Sequence, residues 1–163
     1  MTRALPMRTG VGYDSHRFAP GGPLVLGGVR IPADVHLYGH SDGDAIAHAL
    51  TDAVLGAAAL GDIGALFADT DPANAGRDSI EMLALAVARV HDAGWVVGQV
   101  DVVVIAETPK VAPHRDAMRA RISAALAIGA GDVSIKGKTN EGMGFVGRGE
   151  GIACMATATL VAR

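Results

Sequence analysis

The 163-residue chain is half apolar, 19% charged and only 4% aromatic, with a formal net charge of −3. That balance gives no general attraction to nucleic acid or an anionic membrane, so an anionic ligand would need positive charge supplied by the site itself. The length suits one domain over residues 1–163 with a core of Ala, Val, Leu and Ile, and a single cysteine, Cys154, excludes an internal disulfide and a cysteine zinc cage.

Residues 1–8 read as a flexible leader. They carry no apolar signal region, and no apolar run approaches the roughly 18 residues of a membrane span, so a cytoplasmic protein is expected. Thr9 to Phe18 alternates as a first strand, which puts Asp14 and His16 on the same side. Leu24–Leu26 and Val29–Ile31 form a short hairpin, and Pro32 to Gly39 is a loop.

The central stretch is His40-Ser41-Asp42-Gly43-Asp44-Ala45-Ile46-Ala47-His48. Asp42-Gly43 reads as a turn, and Ser41 with Asp44 resembles a capping box that opens a helix from about Asp42 to Leu60. Asp44, His48 and Asp52 recur every four residues and so share a face of that helix. Burying such a polar stripe in an apolar helix is expensive, which suggests a metal or a charged ligand.

Farther on, Asp62, Asp69 and Asp71 flank a loop, residues 72–77 form a mobile linker, and Asp78 with Glu81 starts a second helix that Gly94 stops. Trp95 to Ala106 is the strongest strand. Pro113 opens a third helix ending near Gly129, Val133–Lys138 is a strand, Asn140–Gly149 is a glycine-rich loop, and Gly151–Ala162 is a closing strand. The expected fold is α/β of the α+β type, with about four longer strands and three main helices on one face. The other face, on so apolar a chain, calls for another subunit.

Asp14, His16 and His48 make a set of one oxygen and two nitrogen donors, the number that zinc sites with an open fourth position use. A hydrogen-bonded core histidine is the plainer account of His48 alone. Gly142–Gly147 spells G-x-G-x-x-G, but an extended segment follows where a dinucleotide site needs a helix. A tight turn is the bland alternative to a phosphate loop with Lys138, Thr139 and Arg148 as donors and Glu141 as a hard-cation ligand. Ala106 to Ala112 follows the strongest strand, where its backbone could frame a flat ring.

Six segments together resemble the 2-C-methyl-D-erythritol 2,4-cyclodiphosphate synthase family: Gly-Tyr-Asp-Ser-His, Leu-Gly-Gly-Val-Arg-Ile-Pro, the stretch from His40 to Ala53, Gly-Ala-Ala-Ala-Leu-Gly-Asp-Ile-Gly, Phe-Ala-Asp-Thr-Asp-Pro and Gly-Arg-Gly-Glu-Gly-Ile. The resemblance implies zinc on Asp14, His16 and His48, and a second ion, Mg2+ or Mn2+, on Glu141. It implies catalytic positioning by His40 and Thr139, and substrate contacts from Asp14, Ser15, His16, His40 and Ser41. Asp62, Ile63 and Gly64 would hold the erythritol, bordered by Phe67, Ala68, Asp69, Thr70 and Asp71. Ala106, Glu107, Thr108, Pro109, Lys110, Val111 and Ala112 would form the cytidine pocket. Lys138, Thr139, Asn140, Glu141, Phe145 and Arg148 would complete the phosphate side. A small-molecule substrate and a homotrimer with its sheets around the axis and sites between subunits follow from the same resemblance, while the charge balance and the lack of a long apolar run give the expectation of no nucleic acid and no membrane partner. So does an isoprenoid diphosphate in an axial cavity near Arg148 and Glu150, where a buried ion pair is the plainer account. Lys138-Thr139-Asn140 stands where some relatives have three threonines, and Ala68 where some have proline. From the residues alone, a zinc-dependent phosphate-ester hydrolase and a non-catalytic trimeric zinc module are the rival readings.

Overall fold

A computed structural model describes residues 7–163. Its centre is a five-stranded mixed sheet built from β1 (Met7–Pro20), β4 (Val35–Leu37), β5 (Trp95–Ile105), β6 (Val133–Lys138) and β7 (Gly151–Ala162), in the order β4-β1-β7-β5-β6. β5 and β6 are parallel and every other pair is antiparallel. A parallel pair needs a crossover, and α4 (Arg115–Leu126) supplies it. The hairpin of β2 (Leu24–Leu26) and β3 (Val29–Ile31) stands apart from the sheet.

The sheet has one more strand than expected. β4 lies inside the segment expected as a loop and pairs Phe18 with Leu37 at the end of a β1 longer than anticipated. The expected leader is outside the described residues as far as residue 6. Met7 and Arg8 belong to β1, and Arg8 lies over the Trp95 ring at 4.4 Å.

Three long helices cover one face. α1 (Ala45–Ala58) lies on β1 and β7, α3 (Ser79–Asp92) against α1 and β5, and α4 against β6 and α3. Leu50, Val54, Leu83, Val102, Val104, Met118, Ile122, Ile152 and Leu160 are among the buried side chains between these layers. α1 approaches β1 so closely that a Cβ on Gly12 would fall 1.8 Å from the Ala49 carbonyl oxygen, and one on Gly10 2.1 Å from that of Ala53. Glycine on the strand facing alanines four apart on the helix is what lets the two backbones touch.

The opposite sheet face is apolar and open: Val11 is 64% exposed, Tyr13 55% and Met155 47%. Tyr13, Met155 and Val103 are cross-strand neighbours, so they form a contiguous patch.

Local chemistry refines the element ends. Asp44, not Ser41, caps α1; its carboxylate accepts from Ala47 N–H and also from Gly27 and Gly28 N–H, at 2.8 and 2.7 Å. Both residues are good caps by type, but only the aspartate has two oxygens to hold the hairpin as well. The stretch expected as a mobile linker contains a 3₁₀ turn, Pro72–Asn74, capped by Asp71, with Asn74 buried and donating to the Ala68 carbonyl. A 3₁₀ turn, Ala112–His114, precedes α4, which ends at Ala127 in the left-handed region. The glycine-rich loop contains a one-turn helix, α5 (Gly144–Gly147).

Candidate metal centre and adjoining pockets

The alternation of β1 puts Gly10, Gly12, Asp14 and His16 on the helix side, and the cap at Asp44 fixes the phase of α1 so that His48 meets them. Asp14 Oδ2 lies 2.8 Å from His16 Nε2 and 3.2 Å from His48 Nδ1, and the two ring nitrogens are 3.1 Å apart. The three ligand atoms converge within 4.8 Å of one another, as a divalent cation requires of its donors.

The far sides of both rings are already occupied. His16 Nδ1 donates to the Tyr38 carbonyl at 2.8 Å, leaving Nε2 bare toward the centre. His48 Nε2 lies 2.8 Å from Ser79 Oγ and 2.9 Å from Ser41 Oγ. Two ring nitrogens and a carboxylate oxygen thus face one another at hydrogen-bond distance, with a positive charge, proton or metal, required between them. That is an arrangement a divalent cation fits, and His48 is at the same time hydrogen-bonded through Nε2. Gly39 belongs to the design, since a Cβ there would lie 2.9 Å from the His16 ring.

The charges respond accordingly. Burial is the largest single influence on Asp14 and opposes its ionisation, but the hydrogen bonds and positive charges of protonated His16 and His48 together outweigh it and lower the carboxyl pKa. Burial likewise opposes charge on His16, and the bond and charge of Asp14, the Tyr38 carbonyl and the Asp44 charge together outweigh it, so its pKa is raised above 6.5. The centre attracts positive charge, and a proton takes that place when no metal does.

The metal centre forms one wall of a cleft of about 250 Å³ also lined by His40, Ser41, Ile63, Gly64, Phe67, Asp69, Asn74 and Met82. Asp62 is the cap of α2 (Ile63–Leu66), accepting from Ala65 N–H at 2.8 Å, and Asp52 accepts from Ile63 N–H at 2.7 Å. Asp44 and Asp52, expected on one stripe with His48, therefore hold backbone instead. Burial pushes both carboxyls up in pKa.

A second pocket lies at the same end of the sheet, lined by Val104, Ala106, Pro109, Lys110, Val111, Ala112, Arg115, Gly137, Lys138 and Thr139. Glu107 organises its rim: its Oε1 accepts from Asn140 N–H at 3.0 Å and Gly142 N–H at 3.2 Å. Glu141 is exposed, with φ of 54°, and accepts from Thr139 Oγ1 at 3.3 Å. The pocket and the cleft share no lining residue. The register row Ser15–Ala153–Ile105–Lys138 separates them by three strand spacings, roughly 14 Å. Ser15 and Phe145 belong to neither; they line a third hollow with His16, Arg17 and Glu150. Arg148 pairs with Glu150 at 3.2 Å, but exposed rather than buried within the chain. Of the remaining expected residues, Thr70 and Thr108 line none of these hollows, nor does Ala68, which engages Asn74 through its carbonyl.

Ser79, Tyr38, Asn74 and Met82 were not expected at the site. Ser79 reads as a helix-start residue, and nothing local signals that it meets a histidine 31 positions earlier.

The sequence profile described as the YgbB family matches residues 7–161. The 2-C-methyl-D-erythritol 2,4-cyclodiphosphate synthase of Gemmatimonas aurantiaca is 59% identical over 159 residues, covering 98% of this chain and 96% of its own. The enzyme of that name from Escherichia coli O6:K15:H31 is 54% identical, covering 95% and 98%. Among solved structures, IspF of Plasmodium falciparum in a CDP complex matches with a TM-score of 0.84 at 36% identity over 96% of this chain and 97% of that one. Bifunctional IspDF of Campylobacter jejuni matches with a TM-score of 0.93 at 40% identity; this chain covers 96% of itself and 42% of that longer protein.

Proposed function

We infer the chemistry from one premise: the chain belongs to the YgbB family. Its function is that of a cyclodiphosphate synthase in isoprenoid biosynthesis. The reaction converts 4-diphosphocytidyl-2-C-methyl-D-erythritol 2-phosphate into 2-C-methyl-D-erythritol 2,4-cyclodiphosphate and CMP. An oxygen of the 2-phosphate forms a bond to the β-phosphorus, the bond from that phosphorus to the CMP oxygen breaks, and CMP leaves with the electron pair. No water enters and nothing is oxidised.

Two problems follow: nucleophile and target are both anions, and a flexible chain must fold back on itself. Zn2+ on Asp14, His16 and His48, with Mg2+ or Mn2+ on Glu141 and the diphosphate, would neutralise charge and polarise phosphoryl oxygens. Lys138 and Arg148 add cations of the chain's own, and Thr139 and the His40 ring would position the phosphates. No general base is needed, because a phosphate monoester is largely dianionic at neutral pH.

Folding back is the task of the two pockets. Asp62, Ile63 and Gly64 would take the erythritol hydroxyls, bordered by Phe67 to Asp71. The backbone from Ala106 to Ala112 would frame the cytosine. Fixing both ends in this way can supply roughly 7–11 kcal/mol.

The reading also includes a homotrimer with each site shared between neighbours. Its support is the separation of the pockets within one chain, together with the open apolar face around Tyr13 and Met155. An isoprenoid diphosphate in an axial cavity near Arg148 and Glu150 is a further part of it. Cytoplasmic localisation is kept with it; no helix among the described residues is long and apolar enough to cross a membrane.

The observation that carries the reading is the convergence of Asp14, His16 and His48 at one wall of the cleft. The test is turnover of the cytidylyl substrate by metal-replete protein in ¹⁸O-labelled water. CMP and cyclic product without the label are expected. Label in either product would make the protein a hydrolase, and no CMP at all would make it a structural zinc module.

A further inference from the structure

We propose that Asp42 and Ser79 are positioning residues that fix which nitrogen of His48 faces the cation. The proposal rests on reading Asp14, His16 and His48 as the ligand set, but Asp42 and Ser79 lie outside that set.

The argument is a count of protons. A carboxylate only accepts. Asp42 Oδ1 lies against Asp44 N–H at 3.0 Å and in a short contact with Ser79 Oγ, while its Oδ2 lies 3.0 Å from Ser79 N–H. Ser79 has one hydroxyl proton, and Asp42 takes it. Ser79 Oγ can then only accept from His48 Nε2, 2.8 Å away. The ring proton is therefore on Nε2, and Nδ1 is bare. Nδ1 is the atom 3.2 Å from Asp14 and 3.1 Å from His16. Ser41 Oγ, at 2.9 Å from the same Nε2, is a second acceptor, and its own proton can reach Ser79 Oγ at 3.4 Å.

The relay is built into the fold. Ser79 is fully buried at the first position of α3, and Asp42 lies in the turn before α1, so one carboxylate ties together the starts of two helices. Reversing the Asp42–Ser79 bond would free the serine proton for His48 Nε2. The ring proton would then move to Nδ1, into the middle of the ligand set. Partners of this kind behind a ligating histidine are general in metal sites, and their loss typically costs about 10–100-fold in metal affinity.

Asp42→Asn is the diagnostic change. The carboxamide keeps the shape but has an NH₂ that donates toward Ser79 Oγ. In metal-free protein at a pH where imidazole is neutral, ¹⁵N shifts of the His48 ring should show the proton on Nε2 in the wild type and on Nδ1 in Asp42→Asn. The zinc dissociation constant, measured by chelator competition, should rise about 10–100-fold in the variant. A purely structural Asp42 would lower the melting temperature and leave the proton on Nε2; that result, with unchanged zinc affinity, overturns the proposal. Should Asp42→Asn fail to fold, Ser79→Ala decides. Zinc binding weakened by about tenfold supports the relay, and wild-type affinity overturns it. Because the tautomer is read without metal, it separates the two claims. A wild type that binds no zinc yet holds the proton on Nε2 would sink the cation reading and leave the relay standing.

Discussion

The metal cleft and the pocket behind Ala106 lie at the same end of one sheet and are built by opposite means. In the cleft, side chains line the centre and the two rings are held from behind, His16 by the Tyr38 carbonyl and His48 by Ser79. In the pocket, mostly small and aliphatic residues share the walls with Lys110, Arg115 and Lys138, and one carboxylate, Glu107, holds the rim through two N–H groups. Chemistry on phosphorus needs donors fixed to within a fraction of an ångström. Recognition of a flat ring needs a slot of the right width and free backbone groups. The proposed phosphoryl site rests on a strand and a helix, and the proposed ring slot on the loop after β5 with the ends of β5 and β6.

The largest expected effect comes from breaking the cleft. His48→Ala should lose bound zinc and reduce turnover by about a thousandfold or more, with far-UV circular dichroism unchanged, because one of three donors disappears. Undiminished turnover would remove the cleft from the mechanism. Next, Ala112→Trp should fill the exposed mouth of the second pocket. It should lower kcat/KM by about a hundredfold through KM, with zinc content intact. Mixed with His48→Ala subunits after dissociation and reassembly, this variant should regain activity, since some interfaces then bring together two intact halves. No recovery, with mixed trimers verified by mass spectrometry, would mean that each chain works alone.

A smaller effect sharpens the rim. Glu107→Ala frees the Asn140 and Gly142 N–H groups and should raise KM by about tenfold, while Glu107→Gln keeps the acceptor and should restore most of it.

The pH dependence tests the cleft alone. In metal-free protein, the raised His16 pKa contributes stability below 6.5 that is lost as pH rises through the raised value. The lowered Asp14 pKa contributes stability above 3.8 that is lost as pH falls through the lowered value. The pair therefore supports the empty cleft between those limits. Zinc must displace the proton, so its stabilising effect on the melting temperature should be greater at pH 8 than at pH 6. A zinc shift independent of pH would contradict the proton's place at the centre. The smallest effect is expected at Cys154, whose thiol pKa burial pushes far up. Cys154→Ala should cost about 1 kcal/mol in stability and leave kcat and KM alone, and the wild-type thiol should resist alkylation in the folded state.

Much of the cleft could be read from short-range pattern. The i, i+2 spacing of Asp14 and His16 and the helical position of His48 needed only the two regular periods, and the structure brings the three together. What could not be read depended on distant partners. Ser41 and Asp44 are equal as caps by residue type; the choice was made by Gly27 and Gly28, which need the Asp44 carboxylate. β4 escaped because three residues at a sheet edge carry no period, and only the length of β1 creates a partner for them. Asn74 turned an expected linker into an ordered turn through a single buried side chain. Ser79 was invisible for the same reason, since its role exists only where α3 meets α1.

The bare backbone contact at Gly12 has its own consequence for the ions the protein can accept. Ligands on long side chains can follow an ion of any radius, whereas here the gap between the donor on α1 and those on β1 is set by where the helix rests on the strand. Selectivity by ionic size is thus written partly in a residue that never touches an ion. Gly12→Ala, by lifting α1, is the substitution expected to shift the preference from zinc toward wider cations such as cadmium without altering a single ligand.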